Sequence, residues 1–363
     1  MKSLRRPPMV GRFLAEEVAL ASRNSGMPLE ALRYDVTPVG LHYLLIHFDI
    51  PAIETTQWTL PILGCVDRPT TFSLADLQAL PQRTVRVTLE CAGNGRAQLT
   101  PRNASMPWVE EGVSTAEWTG TPLAELLKKV GLQRSACEVV FTGADVGIDR
   151  GVEQTYARSL RVPDAMHPDV LLVWAMNGQP LLPQHGAPMR LIVPGWYGMA
   201  SVKWLSKIEA VTQPFQGMQQ VVGYHFRAQP EDPGVPCTQI RVNALMVPPG
   251  IPDFFSRQRF LKPGLVKIQG RAWSGGGVPI TRVEFAVNGQ WRDAQLHPGE
   301  ASPWAWRGWS CDWQASAGTH VLAVRATDAN GHVQPDQPVW DIAGFGNNGM
   351  QTVTVQVNAA TQQ

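Results

Sequence analysis

Most features that would assign this chain to a common class are missing. Charged residues make up only 17% of its 363 positions, and 31 Lys plus Arg against 30 Asp plus Glu leave a formal charge of +1. Without a basic excess there is no general electrostatic reason to expect nucleic acid or an anionic membrane as partner, so any anion site must be local. No segment approaches the roughly 20 apolar residues that a membrane-spanning helix needs. The phosphate-binding G-x-x-x-x-G-K, the dinucleotide-binding G-x-G-x-x-G after a strand and the hydrolase G-x-S-x-G are all missing. Cys65, Cys91, Cys137, Cys237 and Cys311 are odd in number and far apart. They form no C-x-x-C pair, zinc spacing, C-x-x-C-H haem attachment or iron–sulfur set. This pattern reads as reduced thiols, and the expectation is a cytoplasmic protein. Arg5 and Arg6 are not followed by the apolar run of a signal peptide. A periplasmic protein would have had its leader removed.

What is present is apolar and rich in turns. Hydrophobic residues reach 44%, alongside 30 Pro, 33 Gly and 13 Trp. That length and apolar content suffice for two domains, each with its own core. The turn-formers favour short strands and structured loops over long helices.

Residues 11–33 read as a helical or irregular lead-in, and 43–48 as strand-like. From Arg83 to Cys91 the alternation is clear. Val85, Val87, Leu89 and Cys91 share an inward face, and Thr84, Arg86, Thr88 and Glu90 the outward one. A sharp Gly-rich turn, 92–95, follows. Residues 121–131 predict a helix capped by Thr121 and closed by Gly131. Strand patterns recur at 138–141, 170–174 and 189–193, so this half is a mixed α+β domain. Residues 229–236 read as a linker between a domain over 1–228 and another over 229–363. In the latter, Val283/Phe285/Val287, Leu322/Val324/Ala326 and Val353/Val355/Val357 alternate between Asn-Gly-type turns. This texture fits an immunoglobulin-like β-sandwich.

Polar groups set into apolar segments mark the candidate site: Cys91 with Arg96 in the turn after it, His185 and Arg190 in HGAPMR (185–190), and Ser201 and Lys203 in SVKWL (201–205). Taken singly they say little. An inward cysteine is more often a small packed hydrophobe than a ligand, and a lone histidine more often a hydrogen-bonded structural residue.

Taken together they carry a resemblance. TLECAGNGR (88–96) is similar to the cysteine motif of the sulfite oxidase family of molybdopterin-dependent oxidoreductases. GVSTAEWTG (112–120), NGQPL (177–181), HGAPMR, PGWYG (194–198) and SVKWL continue it in order, and AWSGGG (272–277) and WAW (304–306) resemble the family's dimerisation domain. The resemblance spans about residues 35–345. It implies a molybdopterin domain followed by a dimerisation domain, a homodimer, and a molybdenum–molybdopterin cofactor with Cys91 as the protein's metal ligand. By position it assigns Tyr43, His47, Asp145, His185, Arg190, Ser201 and Lys203 to the cofactor, with His185 and Arg190 on its phosphate. Arg96, Trp108 and Tyr224 fall to a small-molecule substrate. The implied reaction is two-electron oxo-transfer, with single electrons passing to a separate cytochrome or similar protein.

Two departures bear on the substrate. The family's sulfite enzymes carry an arginine two residues before the histidine that His47 matches; here it is Leu45. A second arginine is replaced by Ala343 in WDIAG (340–344). Charge-assisted bonds contribute roughly 1.5–3 kcal/mol each, so sulfite affinity falls by about two to four orders of magnitude. The expectation is a substrate other than sulfite, such as a neutral sulfoxide or organic sulfur compound. Two alternatives stay open: a genuine sulfite dehydrogenase, and a cofactor-free dimeric binding module.

Overall fold

The computed structural model describes residues 13–299 and 302–358; Arg5 and Arg6 lie outside them. Strands dominate. The longest α-helix among the described residues, Ala15–Arg23, has nine residues, so the helical share of the expected α+β domain is small.

Two sheets build the N-terminal half. One orders Thr70–Ser73, Thr59–Gly64, Leu205–Val211, Glu138–Asp149 and Val152–Arg161. The other runs Arg83–Glu90, Val113–Pro122, Leu171–Met176 and Gln179–Pro180, with Arg190–Ile192 also on Leu171–Met176. In the C-terminal half a four-stranded sheet containing Gly264–Trp273 and Arg307–Ala315 faces a six-stranded one containing Ile280–Val287, Gly318–Asp328 and Gln351–Val357. Ile268, Trp309 and Trp313 from the first share one core with Phe285, Leu322, Val324 and Val355 from the second.

Four local expectations change. Residues 43–48 are not a strand. Only Leu44 bridges, to Ser25, while the Ile46 N–H goes to the Asn24 side chain and the Leu45 carbonyl accepts from Lys203. The helix is Leu123–Val130, closed by Gly131 at φ 74° as expected but not capped by Thr121. Thr121 stays in the preceding strand, and its hydroxyl donates to the Pro81 carbonyl. The exposed 229–234 stretch is the loop of a hairpin joining His225–Phe226 to Val235–Pro236. Its chain then returns to the N-terminal half, where the Thr238 carbonyl accepts from the Tyr197 N–H.

The fourth change concerns the Arg83–Glu90 strand. Val85, Val87, Leu89 and Cys91 are buried as the alternation requires, but so are Thr88 and Glu90 on the other face. The C-terminal half covers them. Thr88 donates its N–H to the Trp304 carbonyl, and its hydroxyl accepts from the Trp306 N–H at 2.7 Å. The Glu90 carboxylate accepts from the Trp273 indole at 2.9 Å, Asn94 at 3.1 Å and Asn243 at 3.4 Å. Burial pushes its carboxyl up to about 7, against those three donors. A Trp273→Phe exchange keeps the apolar ring and removes one donor from a buried carboxylate. It should cost about 1–3 kcal/mol in urea unfolding; an unchanged midpoint would show that Glu90 does not join the two halves.

Candidate active site

Cys91 sits one residue past its strand, 8% exposed, in a wall shared by two cavities. Its N–H donates to the Gly112 carbonyl, and its carbonyl accepts from Asn94 across the Gly-rich turn. Burial pushes the thiol up, while Arg96, the Gly93 N–H and the Trp108 indole draw it back.

The first cavity is a slit of about 60 Å³. Tyr43, His47, Asp145, His185, Arg190, Ser201, Lys203 and Tyr224 all line it with Cys91. These residues lie far apart in sequence, and the fold gathers them. The slit is basic at one end. Arg190, 6% exposed, donates to the His185 carbonyl at 3.0 Å and the Ser201 carbonyl at 3.2 Å, stacks 4.9 Å from the Trp118 ring, and leaves its Nε without a partner. Lys203 Nζ donates to the carbonyls of Leu45 (2.8 Å) and Gln184 (3.4 Å), joining the two walls. Neither cation takes part in an ion pair among the described residues. Burial, then neighbouring cations, lowers His185 to about 4 and Lys203 to about 7, with Asp145 drawing Lys203 partly back; burial alone lowers Arg190 to about 10. Asp145 goes the other way, up to about 6, because burial disfavours its anion.

The second cavity is larger, about 410 Å³, and meets the slit along Leu45, His47, Cys91 and Tyr224. His47 Nε2 lies 2.6 Å from the Tyr224 hydroxyl, which closes this partition. Tyr224 adopts φ 52°, and its ring stacks on Phe345 at 5.1 Å. Arg96 lines only this second cavity. It is 4% exposed and donates to the carbonyls of Ala343 and Met106, both at 2.8 Å. Its room depends on Gly93, where an added Cβ would lie 2.3 Å from the guanidinium nitrogen. Leu45, Met106, Ala343 and Phe345 give this cavity its apolar wall.

Trp108 is placed differently from the expectation. It lines neither cavity and packs edge-on behind Tyr43, with ring centroids 6.3 Å apart. Its ring backs the wall, and its indole stands beside the Cys91 thiol. The sequence reading also missed several residues. His42 and Gln184 line the slit, and so does Tyr156, which stacks on His47 at 4.7 Å. Arg158, also buried, lies 5.4 Å over the Tyr224 ring and donates to the Gln219 carbonyl. The outward-facing pattern of the Val152–Arg161 strand hides Arg158, and His42 differs in no way from an ordinary loop histidine.

The arrangement sets one buried thiol in the lining of a slit that also carries two cations. Residues 47–219 match the family described as the oxidoreductase molybdopterin binding domain, and residues 236–358 match the Mo-co oxidoreductase dimerisation domain. The chain belongs to the sulfite oxidase family of molybdopterin oxidoreductases. The cofactor that goes with this domain pair is molybdenum–molybdopterin. Among curated relatives, the NADH nitrate reductase of Solanum lycopersicum is 32% identical over 356 residues, covering 90% of this chain and 39% of that protein. A Brassica napus NADH nitrate reductase matches at 32% over 361 residues with the same coverage. The chain thus spans about two fifths of the length of these relatives. The solved structure of the sulfane dehydrogenase SoxCD from Paracoccus pantotrophus superposes with a TM-score of 0.79 at 25% identity, covering 99% of this chain and 90% of that one. No helix of the described residues is long and apolar enough to cross a membrane.

Lys203 gives the site a pH signature. With its folded pKa near 7 and an unfolded value of 10.5, the unfolded chain holds the extra proton between these limits. Stability of cofactor-free protein should therefore rise from about pH 7 to 10, and phosphate, by restoring the lysine's charge, should flatten that rise. Melting temperatures at both ends of the window, with and without phosphate, test this. Equal slopes in the two series would mean that the lysine is not an unpaired cation in the slit.

Proposed function

We propose that Cys91 ligates molybdenum and that the slit holds the pterin, with His185 and Arg190 on its phosphate and Tyr43, His47, Asp145, Ser201 and Lys203 along it. The observation that carries this reading is that two cations, the buried Arg190 and the part-buried Lys203, line the same slit as Cys91 and form no ion pair among the described residues. Isolated buried charges are strongly disfavoured, so an anionic occupant suits them. The unpartnered Arg190 Nε is a further donor without an acceptor. Among the described residues no three His, Cys, Asp or Glu side chains gather to hold a bare metal ion. A metal bound through Cys91 must therefore bring its other donors with it, as a pterin dithiolene does. The slit is narrower than a pterin, and the bonds of Lys203 to Leu45 and Gln184 across it are the contacts an occupant replaces.

The bound group would supply two-electron oxo-transfer chemistry; the chain's own residues supply binding, orientation and electrostatics. In the larger cavity Arg96, held flat by two carbonyls, anchors a polar oxygen of the substrate. Tyr224, with its hydroxyl shared with His47, stands at the partition to donate a hydrogen bond to that oxygen. Leu45 and Ala343 turn apolar surface to the same space, and 410 Å³ greatly exceeds what a small oxyanion fills. The substrate is accordingly a neutral or weakly charged organic sulfur compound, a sulfoxide for example. Single electrons pass to a separate cytochrome or similar carrier. The halves 1–228 and 229–363 act as catalytic and dimerisation domains, the second as an immunoglobulin-like sandwich pairing two copies.

Steady-state assays of molybdenum-loaded protein across sulfite, nitrate and sulfoxides test the substrate. A sulfoxide should exceed sulfite in kcat/KM by about 100-fold or more, from the loss of two charge-assisted bonds. Efficient sulfite oxidation at micromolar concentration would overturn it. In the converse direction, Leu45→Arg should improve sulfite affinity by about 10-fold or more, read as KM. Replacing Cys91 by Ala should abolish turnover while pterin content persists; normal turnover without the thiol would remove Cys91 from the metal.

A further inference from the structure

His42 lines the slit beside the basic end, its ring centroid 5.5 Å from that of His185. Its Nδ1 lies 2.9 Å from the Tyr43 carbonyl oxygen. A carbonyl only accepts, so Nδ1 carries the hydrogen. Nε2 is buried and has no hydrogen-bond partner. A second hydrogen there would make the ring an imidazolium, and its surroundings oppose that. His185 faces it from the Pro183–His185 turn, Arg190 from the Arg190–Ile192 strand and Trp118 edge-on from the Val113–Pro122 strand, while Tyr43 is its own neighbour in the chain. None of these is an anion. Burial, with His185 and Arg190, accordingly holds the imidazole down to about 3. Nε2 is therefore a bare lone pair in the slit that Arg190 also lines.

A bare acceptor repels a phosphate oxygen unless a hydrogen stands between them. We propose that His42 takes up a proton when the cofactor's phosphate enters the slit, so that anion and proton bind together and Nε2–H donates to a phosphate oxygen. The proton comes from solvent, and the N–H bond is the only covalent bond formed. The proposal rests on the reading that the Arg190 end holds the phosphate. It gives His42 a reason to be a histidine: the empty slit carries less buried charge, and the missing donor appears only when an anion needs it. Since binding consumes a proton, affinity falls as pH rises.

Two measurements test it. Full-length protein carrying ¹⁵N-histidine, purified with and without its cofactor, should show both His42 nitrogens protonated in the loaded form and one bare nitrogen in the empty form. A bare Nε2 in loaded protein overturns the proposal. Separately, the cofactor-free chain is titrated calorimetrically with inorganic phosphate and with sulfate, in two buffers of different ionisation enthalpy. At about pH 6 Lys203 is already charged, and sulfate brings no proton of its own. With sulfate, wild type should take up close to one proton per anion bound and His42→Phe close to none, while phosphate, which carries its own proton at this pH, should bind with less net uptake. Uptake that persists in His42→Phe, or that appears with phosphate but not with sulfate, overturns the proposal. Anion binding without a His42-dependent proton sinks this inference alone. Failure of both anions to bind, together with protein purified free of molybdenum and pterin, sinks the reading of the slit itself.

Discussion

Arg190 and Lys203 are drawn into one slit with carbonyl oxygens as their hydrogen-bond acceptors and no ion pair among the described residues, and much of the site follows from that. Carbonyls offset part of the desolvation of a guanidinium or an ammonium but do not neutralise it. Burial and mutual repulsion then lower the affinity of these groups for protons, which is why Lys203 and His185 both shift downward. Such a slit is not at its electrostatic minimum when empty. An anionic group that binds the folded chain and not the unfolded one stabilises it by mass action.

The other side of Cys91 is governed by contact between the two halves. The strand that ends at Cys91 buries both faces, one on its own core and one under Trp273, Trp304 and Trp306. The loop at 341–347 then reaches back to the cysteine turn. Gly346 donates its N–H to the Ala92 carbonyl at 2.7 Å, Asn347 donates to the Gly95 carbonyl at 2.7 Å, and the Ala343 carbonyl holds Arg96. Asp341 fixes this loop by accepting the N–H groups of Arg227, Ala343 and Phe345. The wall of the larger cavity is thus made by both halves, and Cys91 and Arg96 keep their spacing only while the halves stay joined.

Much of this was legible from the residues. The alternation from Val85 to Cys91 placed the thiol inward, and Gly131 closed its helix, because period and left-handed turns are local properties. The collinear motifs grouped His185, Arg190, Ser201 and Lys203, which line one slit. The reading went wrong where a distant partner overrode a local preference. Residues 43–48 gave up strand pairing to line the cavities, and Thr121 was held in a strand by its neighbours. His42 and Arg158 left no mark in the sequence, since what distinguishes them is the company they keep.

The sequence by itself determined the kind of chemistry, because a cysteine at the end of a buried strand and a set of basic residues in apolar segments are matters of type and order. By resemblance it also set Leu45 and Ala343 where the family's sulfite enzymes carry arginines. Only the tertiary structure decided which cations form no ion pair, that Cys91 stands in a wall between a narrow slit and a wide cavity, and that His42 presents a bare nitrogen to the basic end. Charge compensation and hydrogen-bond satisfaction depend on distances between residues far apart in the chain, and no local pattern records those distances.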